Sequence, residues 1–358
     1  MEFFSGIGGW AFSLRSTGLP IHVVAAFDVN EEANRVYELN LKLSPSQRNL
    51  DTISADFLDS LSSDLFLMSP PCQPYTRSNK SDDRDENDPR AKAFLNLVSQ
   101  LGDMKSPPVY IVLENVVGFE SSNCCTRFLT TLSERGYSYQ QFHLNPTQFN
   151  IPNDRPRYYC VAKLQSGPFD VQNDPSLIQT TLPSSSSSPS SLCTVSISDI
   201  IASITLSPEE VEGLIISKEV LEKPSSWCLD IVRESDTRSS CFTKAYGKFH
   251  KGAGSVLYIP RPENTPSLSS KSVSAPLEKS FLEDPLTRVY NADWMTELKG
   301  GKLRYFSPKE LIALFGFPCF PDFQFPEDMK IRKCYELIGN SLNVKVAQAL
   351  LEHLLLNA

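Results

Sequence analysis

Short, largely apolar runs alternate with helical stretches through the first half of the chain. Ile21 to Phe27, Leu65 to Met68 and Tyr110 to Leu113 are such runs, the first preceded by the turn residues Gly18 and Pro20. Apolar runs without polar alternation predict strands buried on both faces, as in a parallel sheet. Between them, Glu31 to Leu43 and Ala91 to Leu101 carry apolar positions at helical spacing. Strands alternating with helices predict an α/β fold. The end of the chain is equally regular. Ser307-Pro308-Lys309-Glu310 predicts a capping box with proline at the first helical position, and the run Leu311 to Phe315 stops at Gly316, ahead of Pro318. Val344 to Leu356 predicts a last helix, whose stripe of Val344, Ala347, Leu351, Leu354 and Leu355 must pack on something.

The middle of the chain differs. Ser184 to Ser191 is seven serines and one proline, from which no core can be made, and Thr265 to Pro276 is rich in Ser, Pro and Lys. The intervening segments have weak, mixed periodicity. The pattern predicts a large α/β domain over 1–165, completed by 327–358, with a smaller unit over 166–326 that carries the Ser-rich loop 184–191.

Composition narrows the classes. The 358 residues are 41% apolar and 21% charged, the balance of a folded chain. Lys plus Arg is 34 against 42 for Asp plus Glu, a net charge of −8, which argues against a protein that coats nucleic acid non-specifically. No apolar run is long enough to span a membrane, and Met1-Glu2-Phe3-Phe4 resembles neither a signal peptide nor a transit peptide. The nine cysteines form no Cys-x-x-Cys pair, and none of the four histidines stands beside one. Neither a zinc cluster nor a disulfide framework is expected, and reduced thiols suit the cytoplasm or the nucleus.

Three segments carry candidate chemistry. Phe4-Ser5-Gly6-Ile7-Gly8-Gly9 joins an apolar start to a helical run, and Asp28 ends the next predicted strand. Glycines let a ligand approach a helix N-terminus, and an acid at that distance can hold ribose hydroxyls. The spacing departs from Gly-x-Gly-x-x-Gly, which favours a ligand without a pyrophosphate. An NAD site and a purely structural turn with a solvated Asp28 both stay open on this signal alone. Ser69-Pro70-Pro71-Cys72-Gln73-Pro74 follows the strand Leu65 to Met68, at the sheet edge where ligands bind. Its prolines stiffen the backbone and present the thiol, where a lone cysteine is otherwise a buried hydrophobe. Glu114-Asn115-Val116 follows another strand, so Glu114 faces the same crevice or else caps the next helix. A thiol and a carboxyl in one cleft suit nucleophilic attack with an acid assisting.

These motifs, with Arg155-Pro156-Arg157 and Gly339-Asn340-Ser341, stand in the order and approximate spacing of the cytosine-5 methyltransferases. Cys241-Phe242-Thr243-Lys244 with Tyr246-Gly247, Pro71 to Arg77 and Leu337 to Asn343 resemble one branch in particular, the eukaryotic tRNA-aspartate cytosine-5 methyltransferases. The resemblance runs from Phe3 to about Leu355 and is weakest from Gln165 to Leu229.

It implies a Rossmann-like S-adenosylmethionine-dependent methyltransferase domain with a smaller target-recognition domain, and it implies roles. Phe4, Ser5, Gly6, Ile7, Gly8 and Gly9 would wrap the methionine part of S-adenosylmethionine. Asp28 and Val29 would hold its ribose and adenine, and Asp56 with Phe57 would meet the adenine edge. Cys72 would attack carbon 6 of cytosine, Glu114 would hold the proton at ring nitrogen 3, and Arg157 would steady both. Arg155 and Arg157 would also supply positive charge to the Cys72 thiolate, unless they are surface ion pairs. Asn340 and Ser341 would close the cofactor pocket, and no metal is expected.

Lys244, Lys248, His250 and Lys251, interleaved with Tyr246 and Phe249, suit a single-stranded loop, or form a solvated turn. Arg77, Lys80 and Arg84 flank Cys72, diluted by Asp82, Asp83 and Asp85. Cys241 is either a second functional thiol or a cysteine packed beside Phe242. The expected partner is tRNA, tRNA-aspartate first, acted on by a monomer with no membrane attachment. DNA methylation by the same chemistry is the alternative. A binding module that keeps the fold without turnover is a third reading, against which the intact Cys72, Glu114 and Arg157 argue. The family has a full first strand, whereas only three residues precede Phe4 here, so a short strand is expected.

Overall fold

The computed structural model describes residues 1–75, 85–164, 177–183, 193–260, 302–318 and 322–356. Within them a seven-stranded sheet has the order β2-β1-β3-β4-β6-β5-β7. Its strands are β1 (Glu2–Phe3), β2 (Ala26–Phe27), β3 (Leu65–Met68), β4 (Tyr110–Val116), β5 (Tyr137–Leu144), β6 (Arg157–Leu164) and β7 (Ile178–Gln179). The first four run parallel, and β6 is antiparallel to both β4 and β5. The sheet is therefore mixed, not purely parallel. The departure arises because β5 and β6 follow one another as antiparallel neighbours, with no crossover helix between them.

Helices α1 (Gly9–Thr17), α2 (Glu31–Leu41), α3 (Ala55–Ser60), α4 (Lys92–Asp103) and α5 (Asn123–Glu134) belong to this first half. Alternate strand residues feed two cores. Phe66, Met68, Ile111 and Leu113 pack with Phe94, Leu97 and Phe128 of α4 and α5. Leu65, Leu67 and Val112 pack instead with Trp10 and Leu14 of α1 and with the C-terminal helix. Continuous apolar runs are thus explained by helices on both faces.

The strand over Ile21 to Phe27 shrinks to Ala26–Phe27, because its partner β1 offers only Glu2 and Phe3 for pairing. The strand after Val109 is longer than its apolar run, since pairing with β6 carries it through Glu114 to Val116.

Beyond residue 193 come α6 (Ile197–Ile201), α7 (Pro208–Leu214), α8 (Lys218–Leu221), β8 (Asp230–Val232), β9 (Ser255–Ile259), β10 (Lys302–Arg304), α9 (Pro308–Leu314), α10 (Ile331–Gly339) and α11 (Val344–Leu356). The last three strands make a small sheet of order β10-β9-β8. The Ser307 capping box and the Val344 to Leu356 helix form as expected. Ile7, Phe12 and Val36 of the first half share one apolar cluster with Phe242, Tyr246, Phe306 and Ile338. The later segments are thereby pinned over the carboxyl edge of the large sheet. The Ser-rich loop and Thr265 to Pro276 lie outside the described residues.

Candidate active site

A cleft of about 430 Å³ opens where the carboxyl ends of β1, β2, β3 and β4 meet. The chain reverses between β2 and β3 across β1, the kind of switch point at which an open α/β sheet leaves room for ligands.

The loop after β1 turns sharply, with Phe4 at φ 56° and Gly6 at φ 52°. Gly6 donates its N–H to Asp28 Oδ2 and Asn30 donates to Oδ1, both at 2.8 Å. Asp28 therefore ties the turn to the start of α2. Burial raises its carboxyl pKa, against the bonds from Asn30 and Gly6. Nothing lies within 4 Å of where a Gly6 side chain would point, whereas Gly9 faces Leu342 and Ser341, and Gly8 faces Leu41 and Tyr37. Gly8 is thus a packing residue, while Phe4, Ser5, Gly6, Ile7 and Gly9 line the cleft with Asp28, Val29, Asn340 and Ser341.

Asp56 and Phe57 do not reach it. Asp56 sits exposed on α3, 3.1 Å from Lys105 Nζ, and Phe57 packs on Phe27 beneath the Arg48 guanidinium. Leu50 and Asp51 take that wall instead, brought there by the short turn Leu50–Thr52. No periodicity marks this turn in the sequence. Trp10, and Ser69 at the head of the Cys72 motif, had no role assigned from the sequence; Trp10 Nε1 donates to Ser69 Oγ at 2.9 Å inside the cleft.

Cys72 follows β3, half-buried, with its loop held by a 3.3 Å bond from Asn115 Nδ2 to the Pro70 carbonyl. Glu114 projects from β4, buried, and Arg157 Nε approaches its Oε1 at 3.4 Å from β6. Burial pushes the Glu114 carboxyl up, against Arg157, Arg155 and a hydrogen bond with Ser69. Burial also raises the Cys72 thiol, and Glu114 adds to this, while Arg157, Arg155 and Lys244 pull it down without prevailing. The expected supply of positive charge to Cys72 is therefore real but outweighed.

Arg155 behaves differently from its neighbour. It is buried and donates through Nη1 to the Phe242 carbonyl at 2.8 Å, and through Nη2 to the carbonyls of Gly339 at 3.0 Å and Ser341 at 2.6 Å. These three bonds go to backbone, so it fastens two distant segments onto the cleft.

The basic turn is divided. Lys244, Lys248 and Lys251 are exposed, and Lys248 Nζ lies 5.2 Å over the exposed Phe249 ring. Tyr246 cannot stack on a base. It is 2% exposed, its hydroxyl donating to the Ser255 carbonyl and accepting from the Phe306 N–H, and its ring wedged against Phe242 and Tyr335. Spacing alone could not separate an aromatic that faces solvent from one that plugs the core. Arg77, Lys80 and Arg84 lie outside the described residues. Among the described residues no His, Cys, Asp or Glu cluster could hold a metal ion, and no helix is long and apolar enough to cross a membrane.

A glycine-turn pocket at the carboxyl edge of an α/β sheet, beside a thiol, a buried carboxyl and an arginine, has the make-up of an enzyme cleft. The family C-5 cytosine-specific DNA methylase matches residues 1–355, and the chain belongs to it. It is a cytosine-5 methyltransferase, of a family that depends on S-adenosylmethionine. It is 33% identical to the tRNA (cytosine(38)-C(5))-methyltransferase of Homo sapiens, over 98% of this chain and 97% of that one. It is also 33% identical to a DNA (cytosine-5)-methyltransferase of Dictyostelium discoideum, over 98% and 93%. A crystal structure of a Spodoptera frugiperda DNMT2 mutant superposes with a TM-score of 0.75 at 32% identity, covering 99% of this chain and 98% of that one.

Proposed function

We propose that this chain methylates carbon 5 of cytosine 38 in the anticodon loop of tRNA, tRNA-aspartate first, through a covalent bond between Cys72 and the base. The name of the Homo sapiens relative supplies the tRNA and position 38, and one observation carries the chemistry. Cys72, Glu114 and Arg157 converge in the cleft that the glycine turn also lines.

The wall fits S-adenosylmethionine. Ser5 Oγ is buried without a partner, the space beyond Gly6 is open, and Val29 presents an apolar side chain 68% exposed. Ser5 and Gly6 would hold the methionine end, Asp28 the ribose, and Val29, Leu50 and Asp51 the adenine. When bound, this cofactor supplies an electrophilic methyl group.

The chain's own residues supply the rest. Carbon 5 of cytosine is a poor nucleophile, and addition of the Cys72 thiolate at carbon 6 pushes electrons towards it. Glu114, which burial keeps protonated more readily than a free carboxyl, holds the proton at ring nitrogen 3 as charge develops. Arg157 fixes Glu114, and Arg155 acts as a positioning residue. After methylation, the carbon-5 proton passes to water, the 5,6 double bond re-forms and Cys72 leaves as the thiolate. The base must leave its stack to enter, which costs less from a loop than from a duplex. Lys244, Lys248 and Lys251, with Phe249 in place of Tyr246, suit loop phosphates and bases. The free cysteines suit the reducing cytoplasm or nucleus.

DNA methylation is the second reading, favoured by the name of the Dictyostelium relative. The test uses tritiated S-adenosylmethionine with equal amounts of tRNA and duplex DNA at one salt concentration. tRNA should be labelled far faster, at one anticodon-loop cytosine located by bisulfite sequencing, and Cys72→Ala should abolish labelling while still binding cofactor. Equal labelling of DNA would overturn the tRNA assignment, and an active Cys72→Ala enzyme would overturn the adduct.

A further inference from the structure

Cys241 takes no part in this chemistry, yet its thiol lies between both arginines of the site. Sγ is 3.3 Å from Arg155 Nη1 and 3.9 Å from Arg157 Nη2. Arg157 reaches Glu114 with its Nε, so one guanidinium is shared between a carboxyl and a thiol. Among the described residues, Arg155 has no carboxylate within ion-pair distance; its remaining contacts are backbone carbonyls and the face of the Phe315 ring. Asp154, next to it in sequence, is paired with Arg238 instead. Two guanidinium ions side by side in a buried wall repel each other and need a counter-charge.

We propose that Cys241 is that counter-charge, a thiolate and positioning residue that holds Arg155 and Arg157 side by side and limits the pull of Arg157 on Glu114. Burial alone would raise the thiol, but Arg155 and Arg157 together outweigh burial and hold it below the ordinary value. Glu114 faces Arg157 directly at 3.4 Å, and Cys72, which also feels Lys244, lies under the charge of both arginines.

The consequence has a sign. A neutral side chain at 241 leaves the positive charge of Arg157 directed at Glu114 alone. Glu114 then gives up its proton at lower pH, and the alkaline limb of kcat moves down. The inference rests on Glu114 holding the proton at ring nitrogen 3, but its first test needs no substrate. Thiolate absorbance near 240 nm is titrated for Cys72→Ala and for Cys72→Ala with Cys241→Ser. The difference should be one thiolate with a midpoint below the ordinary thiol value of about 8.5. A midpoint at or above that value overturns the proposal and leaves the assigned reaction standing. The second test is the kcat–pH profile on tRNA. Cys241→Ser should lower kcat about threefold or more at pH 8, move the alkaline limb down by about half a unit or more, and leave cofactor affinity unchanged. Cys241→Asp, which restores an anion, should move the limb back. A limb that stays fixed in Cys241→Ser overturns the proposal, whatever the loss in rate.

Discussion

Gly339 acts through the side chain it lacks. It ends α10 against the backbone of Thr243 and Lys244, where a Cβ would overlap the Thr243 carbonyl and the Lys244 nitrogen. The same contact sets Lys244 close enough to act on Cys72. Gly339→Ala should cost about 1–3 kcal/mol of stability, the usual range for an overfilled site. It should also raise the Michaelis constant for tRNA, as Lys244 is displaced. Urea unfolding and steady-state kinetics check the two effects separately; unchanged values in both would show that the contact is not rigid. Asp28 likewise has a structural part to play beside its proposed one. Its two oxygens hold Gly6 and Asn30, so Asp28→Ala should weaken cofactor binding partly by loosening the glycine turn. Calorimetry showing unchanged affinity would remove Asp28 from the site.

Among the elements, α9 shows how an insertion becomes rigid. Its capping glutamate, Glu310, serves two masters. It accepts from the Ser307 N–H at 2.7 Å and from both Nη atoms of Arg304 at 2.8 and 2.7 Å, with both side chains almost fully buried. The fork joins β10 of the small sheet to α9, whose Leu311, Ile312 and Leu314 share an apolar cluster with Ile7 and Phe12. Arg304→Met leaves the carboxylate unpaired in the interior and should destabilise by about 3–5 kcal/mol. Adding Glu310→Gln keeps the cap while removing the charge, so the double variant should recover most of that loss. Equal instability of single and double variants in urea would show that packing, not charge, is lost. The strands teach the complementary lesson. β3 falls on its apolar run Leu65–Met68, because both faces are covered. β4 outruns its own, because Glu114 and Asn115 are held in register by β6, whose pairing no local pattern announces.

For the whole molecule, the base of the cleft couples folding to pH. Glu2 is fully buried, and burial pushes its carboxyl from 4.5 up to about 7, despite a 2.9 Å bond from Tyr37 and the nearby N–H groups of Trp10 and Ala11. Its Oε1 makes no bond of good geometry. The folded chain therefore keeps this proton between pH 4.5 and about 7, where the unfolded chain releases it. That contribution is complete below the lower value and is lost as pH rises through the upper one, by roughly 3 kcal/mol in total. Melting temperatures of the wild type should fall between pH 5 and pH 7.5 relative to Glu2→Gln, which has no proton to lose. Parallel curves would mean that Glu2 does not titrate there.

The sequence by itself determined the α/β alternation, the strand before Cys72, the Ser307 cap, the last helix, and the motifs that mark the family. Each is local. Apolar periodicity, capping chemistry and proline-stiffened loops act within a few residues, so they can be read along the chain. Tertiary structure decided what depends on neighbours far away in sequence. It reduced the second strand to two residues, because β1 offers only two. It put Leu50 and Asp51 in the cleft and left Asp56 outside. It buried Tyr246 in an aromatic nest built by Phe242, Phe306 and Tyr335. It also gave the two arginines to Cys241 and Glu114 as much as to Cys72. Burial and charge are sums over whatever surrounds a side chain, and those surroundings exist only once the segments have packed.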